Sequence, residues 1–347
     1  MKIFLLFLVF GQIHTSTYKQ KAAKVYVYIQ KNFYNQKLGQ YKARIGSDDI
    51  SCIWPAGCIQ FLNLSYAAKN DLFYKGQLDR YFQFMEKYWD SEAYEPCINN
   101  KNGRDKYTDD NIQMAYNLYV AYTATRNNKY LEKSQKAFKF CRQYWDDVYG
   151  GGIWMHQLRD NAIGTNNKKS CLSEMAMVPI FLSQHGNGFE ERDFLDFANK
   201  MLEWTENNLK NPENNLYFDD ISTRGLSRTL SSWNSAVIAE SYLARFKISN
   251  NKNDLEKAIN IVEDCNIFYK PERNGANEDG SGGHFLARVN LELFREIGED
   301  KYIKHITDDV DYWYSEWEKL KGRGAWQTLE FVSSLNCRLW IAAELEK

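Results

Sequence analysis

The amino-acid sequence predicts an all-α protein, an (α/α)6 toroid in which six helical hairpins close into a ring. Three observations support this fold class. Proline is scarce, with five in 347 residues, long stretches repeat apolar residues at the helical period, and two kinds of helix alternate. A repeat of roughly 50 residues suits one hairpin with its loop. An open solenoid is the alternative, but it normally has a tighter repeat and polar capping repeats.

The sequence contains helical segments of two kinds and no convincing strand alternation. One kind, such as NIQMAYNLYVAY at 111–122, is apolar or small on nearly all sides, which indicates an inner helix. The other kind, such as KYLEKSQKAFKFCRQYW at 129–145, has a single apolar stripe, which is typical of an outer helix. The predicted helices are 19–33, 57–69, 73–88, 109–125, 128–144, 169–184, 188–209, 229–247, 252–267, 282–297, 300–319 and 325–345.

Long loops rich in glycine and asparagine follow the outer helices, and short connections follow the inner ones. The clearest examples occupy residues 91–108 and 146–169, and Tyr-Trp-Asp stands at or just before the start of each. In a toroid of hairpins these loops lie together at the end where the inner helices begin. Because binding and catalytic residues tend to lie in loops, we expect the cleft at this end.

The first residues, MKIFLLFLVFGQIHTST, predict a secretory signal peptide over 1–17. Its apolar part is too short to span a membrane, no later stretch approaches about 20 apolar residues, and no hydrophobic tail indicates a lipid anchor. Residues 18–347 are therefore expected to form one secreted, soluble domain, extracellular or in a cell wall. In that oxidising compartment the seven cysteines predict one to three disulfides and a free thiol.

Composition excludes several function classes. The formal net charge of −1 gives no electrostatic reason to expect nucleic acid or an anionic membrane as a partner. The cysteines and the five histidines lack the spacing of metal ligands, so we expect no metal and no cofactor, and the protein is expected to be a monomer. Aromatic residues make up 15% of the chain; they either fill the core or form stacking walls for sugars.

Adjacent aspartates are the candidate chemical groups. Five such pairs occur, at 48–49, 109–110, 146–147, 219–220 and 308–309. An aspartate pair before a helix usually only caps it, and the pairs at 146–147 and 308–309 fit that interpretation. Asp109 and Asp110 instead open an almost wholly apolar helix at the expected cleft. Asp219 lies in a loop on the same side and could contact a ligand.

Two carboxylates beside a sugar bond are the minimal apparatus for glycoside hydrolysis. A retaining enzyme needs them about 5–5.5 Å apart, a spacing that neighbouring helical residues can meet. The helix N-terminus stabilises an ionised carboxylate, as a nucleophile needs. The charge of that group then raises the pKa of its neighbour, which stays protonated as an acid.

Three segments resemble glycoside hydrolase family 76, the endo-α-1,6-mannanases: YTDDNIQMAYNLYVAYTATRNNKYLEKS, WDDVYGGGIWMHQ and KKSCLSEMAM. The resemblance implies an (α/α)6 toroid that retains anomeric configuration. It makes Asp109 the nucleophile and Asp110 the general acid/base. It also implies that Gly150 to Trp154 form a tight loop beside the cleft, with Trp154 or His156 close to the sugar.

Several positions depart from the family pattern. The family usually has two tryptophans where this chain has Gln113 and Met114, and an asparagine where it has Glu174. A Tyr-Asn-Gln-Gly motif is replaced by a run that begins with Trp233 and Asn234. The aspartate pair is intact while sugar-contacting positions differ, so the chain is interpreted as a divergent member. Gln113, Trp233, Asn234 and Asp219 join Trp154 and His156 as candidate substrate-binding residues.

The predicted function is a secreted retaining glycoside hydrolase that acts on α-1,6-linked mannan or a related α-mannoside. It either hydrolyses the glycan or transfers it to another sugar. One alternative is a catalytically silent toroid that only binds glycans. Another is a sugar epimerase or uronyl hydrolase of the same architecture, and an epimerase would require His156 and His284 to share one cleft.

Overall fold

Twelve α-helices alternate between an outer and an inner ring in the computed structural model, which describes residues 17–98, 105–158 and 167–346, without the side chains of 271–280. The outer helices are α1 (Tyr18–Asn32), α3 (Phe73–Met85), α5 (Asn128–Arg142), α7 (Gly188–Asn208), α9 (Lys252–Phe268) and α11 (Asp300–Leu320). The inner helices are α2 (Leu62–Asn70), α4 (Thr108–Thr125), α6 (Met177–Ser183), α8 (Ser232–Ser249), α10 (Pro271–Ile297) and α12 (Leu329–Ala343). The predicted signal peptide lies outside the described residues except for Thr17, which caps α1.

The inner helices form a closed ring. Each inner helix packs against the next one along the chain, and α12 returns to pack against α2. The outer helix α1 packs against α12, so the first and last helices of the toroid form a pair. This arrangement confirms the predicted fold class and excludes an open solenoid, in which the two ends would lie apart.

Buried amides connect the two ends of the chain. Asn336 on α12 donates a hydrogen bond to the carbonyl of Ala22 on α1 at 2.7 Å. Its Oδ1 accepts one from Asn63 on α2 at 2.9 Å. Both asparagine side chains are fully buried, and a buried polar group must be hydrogen-bonded to avoid a desolvation penalty. These bonds therefore favour the closed register of α1, α2 and α12.

The sequence pattern explains which helices are inner. In α12 every residue from Val332 to Ala343 is buried, whereas in α11 the buried residues recur as one stripe. Each buried large apolar side chain contributes roughly 1.5–3 kcal/mol through the hydrophobic effect. The alternation of wholly apolar and striped helices therefore determines which helices are inner and which are outer, and no single contact decides it.

Short strands are the main difference from the sequence prediction, which contained none. β1 (Tyr34–Asn35) pairs with β2 (Gln40–Tyr41), and β3 (Lys168–Ser170), β4 (Phe218–Ser222) and β5 (Gly225–Leu230) form an antiparallel sheet. The predicted helix 169–184 is therefore wrong at its start, because residues 168–170 pair with β4 and helix α6 begins only at Met177. Pairing across a distance of about 50 residues leaves no local periodicity.

Other helix boundaries differ for local reasons. A π-helical segment, Trp54–Phe61, precedes α2, so this inner helix starts earlier than the predicted residue 57. The helix α10 begins at Pro271 rather than at 282, and proline favours the first helical position because that position needs no N–H donor. The predicted helix 229–247 begins at Ser232, because residues 229 and 230 belong to β5.

One disulfide joins Cys52 to Cys97. It connects the segment before the first inner helix to the long loop before α4. A crosslink of this kind restricts the unfolded chain and fixes two loops to each other in the folded state. Within the part of the chain that the structure describes, every helix is too short or too polar to cross a membrane.

Replacing Asn336 with alanine should destabilise the protein, because the carbonyl of Ala22 and the amide of Asn63 each lose a buried partner. We expect the free energy of unfolding to fall by about 2–4 kcal/mol. Asn208→Ala is the matched control, since this amide bonds only a carbonyl of its own outer helix, and it should cost about 1 kcal/mol or less. Urea unfolding of both variants measures the difference, and equal costs would contradict a special role for Asn336.

Candidate active site

The first turn of α4 is held by backbone contacts from two loops. The Thr108 N–H donates to the carbonyl of Met155 at 2.8 Å, and the Thr108 hydroxyl donates to the carbonyl of Trp154 at 2.8 Å. On the other side, the Asn111 side chain accepts from the Tyr94 N–H at 2.8 Å and donates to its carbonyl at 3.0 Å. The start of this helix is therefore positioned from both sides, as a catalytic pair requires.

Asp109 and Asp110 occupy that first turn. Asp109 is 8% exposed, and its Oδ1 accepts the backbone N–H of Asp110 at 2.8 Å. Asp110 is partly exposed as a whole residue, but its carboxyl group is buried against the thiol of Cys58, whose Sγ is 3.8 Å from Asp110 Oδ1. The helix N-terminus favours negative charge at this point, while burial opposes it.

The two carboxyl groups differ in their pKa. Burial raises the pKa of Asp109 to about 6, although the N–H of Asp110 and the positive charge of Lys168 act in the opposite direction. Burial and the negative charge of Asp109 raise the pKa of Asp110 well above its usual range, while the thiol of Cys58 acts in the opposite direction. Asp109 therefore ionises first, and Asp110 keeps its proton beside it.

Among the charged side chains of the described residues, Lys168 has the largest effect in lowering the pKa of Asp109. Its Nζ lies 3.2 Å from Asp219 and 2.9 Å from Asp220, and both carboxylates belong to β4. Asp219 also accepts a hydrogen bond from Asn234 at 3.0 Å. Burial raises the pKa of Asp219, but Lys168 and these hydrogen bonds outweigh it and lower the pKa overall. The structure thus brings Asp219 and Asn234 together beside Asp109.

His156 lies beside the same helix end. Its Nδ1 is 2.9 Å from a carboxylate oxygen of Asp105, and its ring packs against Tyr107 at 4.5 Å between centroids. The backbone of His156 also forms an isolated bridge with Tyr107. This histidine is half-buried and acts on the pKa of Asp109. It is therefore an oriented imidazole within the electrostatic range of the aspartate pair.

Trp154 is 8% exposed, and its indole N–H donates to Asp146 at 2.9 Å. Asp146 also contacts Nζ of Lys169 at 2.7 Å. Asp146 therefore anchors the loop, whereas the sequence interpretation treated the pair at 146–147 as helix caps. The tight loop needs glycine, since Gly152 has φ +89° and a Cβ there would lie 2.7 Å from the Trp204 ring.

Glu174 supports the same loop from beneath. Its Oε1 accepts the N–H of Ile153 at 2.5 Å, and the side chain is fully buried. Burial raises the pKa of Glu174 to about 8, against the opposing effects of that hydrogen bond and of Lys169. At neutral pH this carboxyl group is therefore mostly protonated and acts as a neutral hydrogen-bonding group.

The remaining candidates lie on inner helices. Gln113 is buried one turn after Asp109 on α4, and its Nε2 has no hydrogen-bond partner among the described residues. Trp233 opens α8 and is half-buried, and its ring packs so closely on Gly282 that a Cβ there would lie 2.1 Å away. Both residues therefore lie within the first two turns of inner helices, at the end of the ring that carries Asp109.

Several neighbours of the site were missed in the sequence. Lys168, Asp105 and Cys58 touch the predicted site residues, yet each stands in an ordinary local context. Asp309, assigned to a surface helix, is buried against Arg338 at 3.1 Å. Only its position on the apolar stripe of α11 could have indicated this.

The fold and the carboxyl pair define a class of protein. A closed helical toroid that presents two unequal carboxyl groups in one helix turn has the type of carboxyl pair that glycoside hydrolases use. Sequence comparison then identifies the group. The pattern of glycosyl hydrolase family 76 matches residues 17–297. The chain belongs to this family, as the sequence resemblance implied, and it is a glycoside hydrolase.

Solved structures share the fold along nearly the whole chain. The family 76 α-mannanase of Bacteroides thetaiotaomicron is 19% identical, with a TM-score of 0.83 over 95% of this chain and 96% of that chain. The α-1,6-mannanase of Salegentibacter sp. HEL1_6 is 16% identical, with a TM-score of 0.76 over 94% and 99%. An inactive variant of that enzyme, with two consecutive aspartates replaced by asparagine, was solved with α-1,6-mannotriose and is 15% identical, with a TM-score of 0.76 over 94% and 99%. No curated protein sequence matches.

Replacing Glu174 with glutamine should change how stability depends on pH. The pKa of Glu174 is raised to about 8 in the folded protein, so the folded state keeps a proton that the unfolded state has lost. Wild-type stability should therefore fall as pH rises through this range, while the variant lacks this loss. We expect Glu174→Gln to gain roughly 3 kcal/mol relative to wild type between about pH 5 and about pH 8.

Chemical unfolding of both proteins at the two pH values measures this difference. Glutamine keeps an oxygen for the Ile153 N–H, so the variant should still fold. If the free energies of unfolding of wild type and Glu174→Gln changed equally with pH, Glu174 would ionise in the folded protein as it does in the unfolded one.

Proposed function

We propose that the protein is a secreted, retaining endo-hydrolase of α-1,6-linked mannan in which Asp109 is the nucleophile and Asp110 the general acid/base. The unequal pKa values of these adjacent carboxyl groups, in the first turn of one buried helix, carry the proposal. Family membership and the fold shared with α-1,6-mannanases support the substrate class. A relative inactivated at two consecutive aspartates supports the assignment of the pair.

In the first step an ionised oxygen of Asp109 attacks the anomeric carbon of the mannosyl unit. The glycosidic carbon–oxygen bond breaks, and Asp110 gives its proton to the departing oxygen. In the second step a water molecule gives a proton to Asp110 while its oxygen displaces Asp109 from the anomeric carbon. Two displacements retain the configuration and restore both carboxyl groups to their starting states.

The order of the pKa values assigns the two roles. The nucleophile must be ionised, and Asp109 receives an N–H hydrogen bond and lies near the positive charge of Lys168. The acid must be protonated, and Asp110 has the more strongly raised pKa because it is buried beside Asp109. Reversed roles would require the carboxyl group with the higher pKa to ionise first.

Substrate contacts are proposed for the six side chains that the sequence singled out as candidates. His156, Asp219 and Asn234 can hydrogen-bond sugar hydroxyls beside Asp109, and Gln113 offers a buried amide whose Nε2 has no partner among the described residues. Trp233 would supply an aromatic face at the start of α8. Trp154 is mostly covered and would act chiefly through the loop that it anchors.

Two alternatives are weaker on the same contacts. A silent glycan-binding toroid has no need for two buried carboxyl groups in one turn, because burying them costs stability without contributing to binding. An epimerase would use paired histidines, but His284 is fully buried and its Nδ1 lies 3.2 Å from Ser334 on α12, whereas His156 pairs with Asp105 beside α4.

Transfer of the glycosyl unit to a sugar acceptor follows the same first step and differs only in the second. The Cys52–Cys97 disulfide supports secretion, since such bonds persist in oxidising compartments.

Asparagine variants of the two aspartates test the assignment. Asp109→Asn should abolish formation of the glycosyl-enzyme on every substrate. Asp110→Asn should lower kcat on mannan by at least about a hundredfold. It should affect an activated aryl mannoside much less in the first step, because that leaving group departs without protonation. Azide should partly restore turnover of this substrate, since a small anion needs no general base.

Asp308→Asn is the matched control, because Asp308 is the exposed member of the aspartate pair on α11. Kinetics of all three variants on both substrates, with trapping of the covalent intermediate, gives the measurement. Near wild-type activity of the Asp109 and Asp110 variants would show that these residues only cap the helix, because asparagine caps equally well.

The pH profile should follow the same assignment. Activity on mannan should rise with pH through about 6, as Asp109 ionises, and fall at higher pH as Asp110 loses its proton. In Asp110→Asn with an activated substrate, the limb at high pH should vanish while the limb near pH 6 remains. Asp110 is neutral while Asp109 titrates, so its replacement leaves the pKa of Asp109 almost unchanged. Loss of the limb near pH 6 in Asp110→Asn would show that this limb does not arise from the ionisation of Asp109.

A further inference from the structure

A groove with a volume of about 480 Å³ lies on the outer wall of the toroid, between α1, α3 and the β1–β2 hairpin. None of its lining residues belongs to the candidate active site. Its location follows from the topology, because α1 and α3 both lead into loops that precede inner helices. Most of the lining residues on these two outer helices lie in their C-terminal halves, so the groove is at the end of the toroid that carries Asp109.

A row of aromatic rings forms one wall of the groove. Tyr34 and Tyr41 lie 5.1 Å apart between centroids, Tyr41 and Tyr81 also lie 5.1 Å apart, and Tyr81 stacks on Phe84 at 5.7 Å and 13°. Tyr41 and Tyr81 are buried, while Tyr34 and Phe84 at the two ends are partly exposed. Exposed flat rings backed by buried ones form a rigid stacking surface.

Polar side chains on α3 also line the groove, beside the aromatic row. Gln77, Arg80 and Phe84 recur at helical spacing and share the face of α3 that lines the groove. Gln83 and Lys87 extend this lining, and the charged lining residues are the two cations. Amide groups both donate and accept hydrogen bonds, and guanidinium donates several. Rings beside such groups suit a ligand with apolar C–H faces and many hydroxyls, which is the chemistry of a sugar.

The partly exposed ring of Phe84 is held in place before any ligand binds. Gly39 in the hairpin has φ +63°, and a Cβ at that position would lie 3.4 Å from the Phe84 ring. Lys87 donates to the carbonyl of Leu38 at 3.3 Å and lies 4.8 Å from the Phe84 ring centroid. Tyr81 donates to the carbonyl of Ala56 at 2.9 Å. Preorganised groups bind at a lower entropic cost than mobile ones.

We propose that this groove is a second glycan-binding site, which holds a segment of the polymeric substrate outside the catalytic cleft. The ligand class rests on the proposed function, since a mannan chain extends well beyond the cleaved bond. A site at the same end of the toroid keeps the enzyme on the polymer between cleavages. Through multivalency it raises the effective concentration of the polymer at the cleft and adds little for short oligosaccharides.

Retention on α-1,6-mannan tests the site directly. Affinity gel electrophoresis with soluble α-1,6-mannan measures retention of the Asp109→Asn protein, in which hydrolysis is blocked, with and without a second substitution. We expect Phe84→Ala and Arg80→Ala to weaken retention about fivefold each. Phe73→Ala is the matched control, because Phe73 is an exposed phenylalanine on α3 outside the groove, and it should leave retention unchanged.

Kinetics of otherwise wild-type groove variants complete the test. Their kcat/KM should fall on the polymer and stay within about twofold of wild type on α-1,6-mannotetraose. Arg80 is exposed, so its variant keeps the test valid where Phe84→Ala lowers the melting temperature. Equal retention of the Arg80, Phe84 and Phe73 variants would overturn the groove alone. Failure of the wild type to cleave mannotetraose would overturn the proposed function, and the groove assignment with it.

Discussion

Burial of two adjacent carboxyl groups in the first turn of α4 is the constraint on which the rest of the site depends. Ionising either group in a buried position is unfavourable unless nearby dipoles or charges compensate. The helix N-terminus, the N–H of Asp110 and the charge of Lys168 do so for Asp109. Fewer such groups reach Asp110, so it keeps its proton. A single turn of helix thereby provides two chemically different groups from one residue type.

Such compensation works only while the loops around α4 stay in place. A strip of antiparallel backbone contacts joins Tyr107 to His156, Trp154 to Lys169, and β3 to β4. This strip places Lys168 and the β4 carboxylates beside the helix end. It in turn depends on the closed ring, because the loops come from successive hairpins whose spacing the ring determines. The electrostatics of Asp109 are thus a consequence of the whole fold.

The sequence predicted the parts of this arrangement that leave a local pattern. The alternation of apolar and striped helices was enough for the toroid, and the apolar run after Asp109 and Asp110 was enough to place this pair in the first turn of an inner helix. No local pattern marks Lys168, whose partners lie on a strand about 50 residues later. The short strands were missed for the same reason, since long-range pairing creates no periodicity.

The divergent positions show which part of the site has changed. Glu174 stands where the family usually has asparagine, yet its oxygen still accepts the N–H of Ile153, as an asparagine oxygen would. Support for the Gly150–Trp154 loop is therefore kept. Gln113 and Met114 stand where the family usually has two tryptophans, and both are buried. Under the proposed function, this replacement leaves fewer rings to stack on sugar. An aromatic row on the outer wall would restore stacking energy to a polymer but not to a short fragment, which shifts preference toward long chains.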